Sequence, residues 1–380
     1  MKLRKVADQV VVVMGASSGI GRETALELAS RGARVVISAR SDDGLDSLAD
    51  AIRGLRGEVY VVPADVRDPG AMREVADRTV ERYGRIDSWI HLASVSLYAR
   101  FEDTTPEEFE QLLETNFSGV VNGAQAALPH LRESGGALIV TSSVEAVRAL
   151  PYQSAYAASK HAIEGLLEAL RVELRREKVP VVVTEIVPST FDTPLFENAR
   201  TKLGFKPKGF PPMYDPRIAA KAIAYTVEHP TRRLVIGGGG RLLGILNSLA
   251  PAAVDGFLAA TGFEGQTTRI PKRESARDNF EEPVLHTHRV FGRGRQHGRP
   301  FSLYTSWRTS SWARPLTFAL TAGAGALAVR SLLANQEGKG RRPSGTPAEA
   351  RGRRALPQAE YPRVRAVYRA ATTGEAEPGS

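Results

Sequence analysis

Seven short apolar runs alternate with helical patterns over the first 240 residues of the chain. The runs are rich in valine and isoleucine and have few polar positions, so both faces of each run are expected to be buried. We interpret them as β-strands. The predicted strands are VVVVM (10–14), ARVVISA (33–39), VYVVPA (59–64), IDSWIHLA (86–93), GALIVTSS (136–143), VPVVVTEIVP (179–188) and RRLVIGG (232–238).

This alternation of strands and helices predicts a doubly wound α/β fold. A parallel sheet needs helices on both of its faces, and its crossover connections are right-handed. We therefore predict a Rossmann-type domain over residues 1–240, with a seven-stranded parallel sheet at its centre. Such a sheet presents its ligand-binding residues at the carboxyl ends of the strands.

The hydrophobic pattern changes after the last predicted strand. Residues 242–263 read as one or two amphipathic helices broken at Pro251, and we assign 241–265 to helices that pack on the domain. From about residue 266 the apolar periodicity fades, while Arg, Gly, Pro and Ser become frequent. Residues 266–380 are therefore predicted to form a basic, largely irregular C-terminal extension. A short apolar helix at 316–333 is predicted to interrupt it.

The apolar helix at 316–333 has two interpretations. It is glycine- and alanine-rich, it contains Arg330, and it is short for a span, since about 20 apolar residues are needed to cross a bilayer. One interpretation is weak contact with an anionic membrane surface. The other is docking on the protein's own surface or on a partner. No secretion signal precedes the first strand, so we expect a cytoplasmic location, with or without membrane association.

The composition limits the chemistry. The 380 residues include no cysteine, so disulfides, thiolate catalysis and cysteine-ligated metals are excluded, and redox chemistry requires a bound cofactor. The formal charge of +9 fits a phosphate-rich cofactor, a nucleic acid or an anionic membrane, or it simply reflects an arginine-rich composition. We recognise no nucleic-acid-binding fold. His286 and His288 have no third partner in the sequence, so no metal is assigned.

A glycine-rich turn follows the first predicted strand and leads into a helix that begins near Arg22. Glycines permit a tight turn and close approach of the main chain, and a helix N-terminus offers unpaired amides to a pyrophosphate. The turn therefore predicts dinucleotide binding, with a ligand-free glycine turn as the alternative. The predicted contacts are Gly15, Ser17, Ser18, Gly19, Ile20 and Gly21.

Two further strand ends concern the adenosine half of a dinucleotide. Arg40 follows the second strand, where its planar guanidinium can hold a 2′-phosphate, so NADP(H) is predicted in preference to NAD(H). The alternative is a solvated Arg40, with Asp42 or Asp43 accepting from a 2′-hydroxyl. Asp65 and Val66 follow the third strand. There Asp65 either hydrogen-bonds adenine or caps the next helix.

A candidate proton-transfer group lies in the second half of the predicted domain. Tyr156 and Lys160 are four residues apart on a long predicted helix over 154–178, which places both side chains on one face. An ammonium beside a phenol favours the phenolate and is expected to lower the tyrosine pKa from about 10. Ser143 ends the fifth strand, at the sheet edge where ligands are presented.

In this order, the residues resemble the short-chain dehydrogenase/reductase family over roughly residues 6–240. The family pattern is a glycine turn, an Asn on a central helix, a Ser at a strand end and Tyr-x-x-x-Lys. The resemblance implies that Tyr156 is the general acid in reduction and the general base in oxidation, and that Ser143 hydrogen-bonds the substrate oxygen. It also implies that Lys160 binds the nicotinamide ribose, and that Asn116 positions a water that links Lys160 to solvent.

The chain departs from the family pattern at two places around the expected nicotinamide site. His91-Leu92-Ala93-Ser94 stands where Asn-Asn-Ala-Gly is usual, and Pro188-Ser189 stands where Pro-Gly is usual. Met14 also replaces a frequent Thr. Thr193 still matches the threonine expected near the carboxamide. We retain Ala93, Pro188 and Thr193 as predicted cofactor contacts, while the hydrogen bonds around the fourth strand are left open.

The segment 191–215 is expected to cover the site as a lid, from the resemblance and from its irregular, proline-rich texture. Its apolar side chains favour a bulky apolar substrate or, alternatively, simply pack the lid. They are Phe191, Leu195, Phe196, Phe205, Phe210 and Met213.

The predicted function is NADP(H)-dependent interconversion of a carbonyl and an alcohol. The alternative is a dinucleotide-binding regulatory or scaffolding protein with little turnover. The family also implies a homo-oligomer that pairs through the helices carrying Asn116 and Tyr156.

Overall fold

The structure, a computed structural model, describes residues 2–273, 275–284, 287–292 and 298–310. Within these ranges the largest sheet is parallel and has seven strands. They are β1 Val10–Met14, β2 Arg34–Ser38, β3 Glu58–Val61, β4 Ser88–His91, β5 Ala137–Thr141, β6 Val182–Pro188 and β7 Arg233–Ile236. Their order across the sheet is β7-β6-β5-β4-β1-β2-β3. The predicted doubly wound α/β fold is confirmed.

The first strand lies inside this sheet, between β2 and β4. All five residues of β1 are buried, and Val11 pairs with Val35 of β2 on one side and Ser88 of β4 on the other. From β1 the chain winds outward to β3 and later outward in the opposite direction to β7. The winding reverses between β1 and β4, so the crevice at their carboxyl ends is where such folds bind ligands.

Helices cover both faces of the sheet. The helices are α1 Gly19–Ser30, α2 Asp42–Gly54, α3 Pro69–Tyr83, α4 Pro106–Leu113, α5 Gly119–Ser134, α6 Ser154–Arg176, α7 Leu195–Asn198, α8 Pro216–Glu228, α9 Gly238–Leu249, α10 Pro251–Gly265 and α11 Leu303–Arg308. Apolar side chains of α1, α2 and α8 pack on one face, and those of α3, α5 and α6 pack on the other.

Local sequence explains where several helices begin. Asp68, Thr105 and Asp215 each precede a proline, and each side chain accepts a hydrogen bond from a main-chain amide in the first turn of its helix. Glu108 completes a reciprocal capping box with Thr105. These starts combine a polar N-cap with proline at the first helical position, where its missing amide costs nothing.

The chain stays packed on the domain beyond residue 265. The predicted break at Pro251 separates α9 from α10, and Thr267–Pro271 then pairs antiparallel with Phe205–Pro207. Farther on, Phe280 is completely buried, and Thr305 of α11 accepts from the amide of Gly237. The described part of the extension is thus more ordered than its weak periodicity predicts, because its few apolar side chains pack on the domain rather than on one another.

The predicted apolar helix at 316–333 lies outside the described residues. Among those that are described, no helix is long and apolar enough to cross a membrane. α9 and α10 nevertheless carry an exposed apolar surface, formed by Leu242, Ile245, Leu246, Leu249 and Phe257.

Candidate active site

The turn between β1 and α1 brings its main chain against the end of β4. Gly15 has a φ of +81°, and a Cβ at this position would lie 2.5 Å from the main-chain nitrogen of Ala93. A Cβ on Gly21 would lie 2.1 Å from the carbonyl oxygen of Gly15. Glycine is therefore required at both positions. The close turn places the N-terminus of α1 at the carboxyl edge of the sheet.

The three side chains of the predicted proton-transfer group meet at this edge. Ser143 follows β5, and the hydroxyls of Ser143 and Ser94 hydrogen-bond with the phenol of Tyr156. The Nζ of Lys160 lies 5.4 Å from the centroid of the Tyr156 ring and donates to the carbonyl oxygen of Thr141 at 3.3 Å. Ser143, Tyr156 and Lys160 are all buried. The arrangement places an ionisable phenol between two hydroxyls, with an ammonium on the same helix.

Burial is the largest influence on the pKa values of Tyr156 and Lys160. Burial and the nearby carboxylate of Glu145 raise the pKa of Tyr156 well above its usual value, although the hydrogen bonds of Ser143 and Ser94 act in the opposite direction. Burial lowers the pKa of Lys160 to about 8, against the effect of Glu145. The shift is therefore opposite in direction to the one predicted from the Tyr-Lys spacing, because desolvation of the phenol is its largest cause.

Glu145 is a site residue that the sequence analysis missed. It lies on the short 3-10 turn Val144–Ala146, is only 6% exposed and lines the same cavity as Tyr156. Burial raises its pKa to about 8, and Lys160 is among the groups that oppose this shift. Its Oε2 has no hydrogen-bond partner among the described residues. A single acid after a strand carries no sequence signal, and only the packing of the turn against α6 reveals it.

Asn116 ties the loop after β4 to the helix that carries the tyrosine. It lies on a turn of π-helix, Glu114–Ser118, between α4 and α5. Such irregularities are frequent at functional sites. Its amide nitrogen donates to the carbonyl oxygen of Val95 at 3.0 Å and to Oγ of Ser159 at 3.2 Å. Its amide oxygen accepts from the Val95 amide at 2.8 Å. Asn116 therefore holds the loop next to Ser94 and Tyr156.

The predicted 2′-phosphate ligand at the end of β2 contacts the C-terminal extension. The guanidinium of Arg40 donates to the carbonyl oxygens of Asn279 at 2.6 Å and Glu281 at 2.8 Å. Next to it, Oγ of Ser41 lies 2.8 Å from Nε2 of His288. Arg40 thus lines the crevice and is partly exposed, but its guanidinium already bonds to main-chain carbonyls of the extension.

Asp65 has a partner that neither of its two interpretations included. Its carboxylate accepts from the main-chain amide of Arg67 at 3.0 Å and from Nη2 of Arg67 at 2.7 Å. The cap of α3 is Asp68 instead. Contact of Asp65 with adenine stays a prediction. Val66 lines the cavity together with the glycine turn.

Comparison with known sequences agrees with this geometry. The family profile described as short chain dehydrogenase matches residues 9–204. The chain belongs to the short-chain dehydrogenase/reductase family. The uncharacterized oxidoreductase YxnA of Bacillus subtilis is 36% identical over 282 residues, which is 73% of this chain and 79% of that protein. The 11-beta-hydroxysteroid dehydrogenase A of Arachis hypogaea is 41% identical over 181 residues, which is 47% of this chain and 52% of that protein.

Solved structures give the same result for the fold. An alcohol dehydrogenase from the archaeon Thermococcus sibiricus, complexed with 5-hydroxy-NADP, has 28% identity and a TM-score of 0.54, with 60% of this chain and 95% of that one covered. A short chain dehydrogenase from Mycobacterium paratuberculosis bound to NAD has 25% identity and a TM-score of 0.54, with 61% and 97% covered. The protein is thus an oxidoreductase of the dehydrogenase/reductase type.

In this short-chain dehydrogenase, the two departures from the family pattern have different surroundings. His91 is buried at the end of β4, where burial and the charge of Lys160 lower its pKa to about 3, so its imidazole is neutral at physiological pH. The hydroxyl of Ser189 donates to the carbonyl oxygen of Gly237 and accepts from the amide of Gly240, both at 3.0 Å. The Pro-Ser departure therefore ties the end of β6 to the beginning of α9.

Short strand pairs hold the segment 191–215, which is predicted to be a lid in this dehydrogenase. Thr190–Phe191 pairs with Met213–Tyr214, and Arg200–Thr201 pairs with Leu97–Tyr98 next to the crevice. Phe205 is 43% exposed and does not line the cavity. The lid side chains that line the cavity beside Tyr156 are Phe191, Leu195, Phe196 and Phe210.

Proposed function

We propose that the protein interconverts a carbonyl and an alcohol, with a nicotinamide dinucleotide as its cofactor and Tyr156 as the general acid and base. The observation that carries the proposal is the convergence of Tyr156, Ser143 and Lys160 on a cavity that the glycine turn also lines. The glycine turn fits a dinucleotide, because Gly15 and Gly21 have no side chains that would block the approach of a phosphate. The N-terminal amides of α1 are directed to the same turn. A bound nicotinamide supplies or accepts the hydride.

The side chains then handle the proton. In reduction, the hydroxyl of Ser143 and the phenol of Tyr156 donate hydrogen bonds to the substrate carbonyl oxygen, and Tyr156 transfers its proton as that oxygen gains charge. In oxidation, the Tyr156 phenolate accepts the proton of the alcohol. Lys160 stabilises the phenolate through its positive charge, and Asn116 holds the surrounding loop in register.

We further propose NADP(H) as the preferred cofactor. A planar guanidinium at the end of β2 suits a 2′-phosphate, and Arg40 occupies that position. The 5-hydroxy-NADP complex of the Thermococcus sibiricus relative supports this choice, while the NAD complex of the mycobacterial relative supports a nicotinamide dinucleotide more generally. Ala93, Pro188 and Thr193 line the cavity and are proposed to hold the nicotinamide end.

The proposed substrate is a bulky apolar ketone, aldehyde or secondary alcohol. Support comes from the phenylalanine and leucine side chains that the lid contributes beside Tyr156. The Arachis hypogaea relative is named for a hydroxysteroid substrate, which belongs to the same size class.

The test is a screen of carbonyls and alcohols of increasing size, in which NADPH oxidation and NADP⁺ reduction are followed by absorbance. Turnover that rises with substrate size supports the proposal. Tight cofactor binding without turnover of any substrate supports the dinucleotide-binding scaffold instead.

Two associations of the whole molecule are also proposed. Pairing through α6 and the helical segment α4–α5 that carries Asn116 follows from the family. Weak membrane-surface contact is supported by the exposed apolar side chains of α9 and α10, such as Leu249 and Phe257. Light scattering tests the first, and co-sedimentation of the full chain with anionic and neutral vesicles tests the second.

A further inference from the structure

Part of the C-terminal extension lies across the adenosine half of the crevice. We call residues 278–284 and 287–292 the strap. Pro283, Val284, Thr287 and His288 line the same cavity as the glycine turn. The amide of Gly19 donates to the carbonyl oxygen of Arg289, at 2.9 Å. The strap is therefore a wall of the proposed cofactor site.

The strap bonds to the two donors that the sequence assigns to the phosphates. The Gly19 amide belongs to the first turn of α1, the place where such folds hold a pyrophosphate. The Arg40 guanidinium, proposed for the 2′-phosphate, donates to the carbonyls of Asn279 and Glu281. In both cases a neutral main-chain oxygen accepts the hydrogen bond that a phosphate oxygen would accept. One donor position does not serve both acceptors, so strap and cofactor compete.

The first half of the strap is held from the lid by one arginine. The guanidinium carbon of Arg200 lies 4.5 Å from the ring centroid of Phe280. Its Nε donates to Asp278 at 2.9 Å, and its Nη2 lies 3.2 Å from a carboxylate oxygen of Glu281. The Phe280 ring is completely buried against a cluster that includes Leu112. Arg200 does not line this cavity, although it lines a neighbouring pocket together with Arg40.

The remaining space agrees with competition. The cavity between the strap, the glycine turn and Tyr156 has a volume of about 250 Å³. Sites for drug-sized ligands have roughly 300 to 1,000 Å³, and a dinucleotide is larger than such a ligand. With the strap in place, the crevice does not hold a complete dinucleotide together with a substrate.

We infer that the strap is a determinant of cofactor affinity and cofactor choice that acts by competition. Both cofactors displace the Arg289 carbonyl from Gly19, whereas only NADP(H) must also displace residues 279–281 from Arg40. The strap therefore weakens the binding of NADP(H) more than that of NAD(H), and Arg40 favours NADP(H) only after the strap has left it. The inference rests on the proposed function, since it requires that a dinucleotide binds here.

Hydrogen exchange on the unmodified protein tests the displacement directly. We expect saturating NADP⁺ to accelerate amide exchange in peptides covering both 278–284 and 287–292, because displaced amides lose their protection. NAD⁺ should accelerate exchange mainly in 287–292. Slower exchange in both peptides with either cofactor would show a strap that closes over the cofactor, and would overturn the inference.

Calorimetric titration of Arg200→Gln with NADP⁺ and NAD⁺ tests the effect on choice. Removing the Arg200 contacts should lower the Kd for NADP⁺ by about tenfold, comparable to one charge-assisted hydrogen bond, because a larger fraction of the protein is open. The Kd for NAD⁺ should change less. Asp278→Asn should act in the same direction while leaving Arg200 in place.

The matched control is Arg132→Gln, which removes an arginine-carboxylate pair of 2.8 Å with Glu177, away from the crevice. It should leave both Kd values unchanged. An unchanged or raised Kd for NADP⁺ in both Arg200→Gln and Asp278→Asn would contradict the inference while leaving the proposed function standing. Absence of cofactor binding in the unmodified protein and in every variant would contradict the proposed function itself, and the inference with it.

Discussion

The catalytic end and the adenosine end of the crevice are assembled in different ways. At the catalytic end, three side chains lie within 18 residues of one another: Ser143 just after β5, and Tyr156 and Lys160 on α6. The central sheet determines the positions of both elements. At the adenosine end, Arg40 bonds to carbonyl groups about 240 positions later in the chain. The reactive groups therefore come from neighbouring positions in the sequence, whereas the partners of Arg40 come from a distant segment.

The two ends also treat their polar groups differently. The catalytic groups are buried with incomplete compensation, which raises the pKa of Tyr156 through loss of water and lowers that of Lys160 to about 8 for the same reason. The guanidinium of Arg40 instead receives neutral main-chain acceptors. Arg40 must lose these acceptors before it can bind a phosphate.

Tyr156→Phe gives the largest expected effect and tests the catalytic end alone. We expect kcat to fall by a factor of about 10² to 10⁴, since general acid-base catalysis typically contributes a rate factor of this size. Fold and cofactor binding should persist, because the ring remains in its cluster with Phe280 and only the hydroxyl is lost. Steady-state kinetics and calorimetric titration measure the two quantities. Turnover close to that of the unmodified protein would refute the mechanism.

Lys160→Ala tests whether one residue links the two ends. Its ammonium is buried beside Tyr156, so its loss should lower kcat, and loss of the proposed ribose contact should raise the cofactor Kd by about tenfold or more. Separate measurement of kcat and of cofactor Kd distinguishes the two roles. A catalytic defect with unchanged cofactor affinity would argue against the ribose contact. Lys178→Ala, at an exposed position just after α6, is the control.

Arg40→Asp tests the adenosine end. A carboxylate repels a 2′-phosphate and accepts from a 2′-hydroxyl, so the ratio of kcat/KM for NADPH to that for NADH should fall by about tenfold or more. Arg31→Asp, which removes an exposed arginine of the N-terminal half from its pair with Glu27, should leave the ratio unchanged. If the ratio is the same in all three proteins, Arg40 does not select the cofactor.

Glu145→Gln gives a smaller effect, on the pH dependence of the catalytic end. The carboxylate raises the pKa of Tyr156 by repelling the phenolate, so its removal should lower that pKa. In alcohol oxidation the phenolate is the active form, and the acidic limb of the kcat/KM profile should therefore move to lower pH. A profile that coincides with that of the unmodified protein would show that Glu145 does not act on Tyr156.

The same substitution also changes the pH dependence of stability, and the sign of that change is defined. The pKa of Glu145 is about 8 in the fold and 4.5 in the unfolded reference, so the folded state retains a proton that the unfolded state loses between these values. Stability from this group is complete below pH 4.5 and is lost as the pH rises toward 8. Thermal unfolding from pH 5 to 8 should show a smaller decline in Tm for Glu145→Gln than for the unmodified protein.

The sequence by itself determined the fold and which residues meet at the catalytic end. Strand runs that are buried on both faces leave little choice besides a covered parallel sheet, and the four-residue spacing of Tyr156 and Lys160 places them together on any helix. The glycines of the first turn are likewise local, because their function is to lack a side chain.

Only the tertiary structure decided the ionisation of these groups and the partners of Arg40. The pKa of Tyr156 depends on how much water the surrounding packing removes, and the spacing along a helix contains no such information. Glu145 reaches the site through the packing of a short turn. The strap is invisible in the sequence because it bonds through main-chain carbonyls, which every residue type provides. Its position results from burial of Phe280, a long-range contact without periodicity.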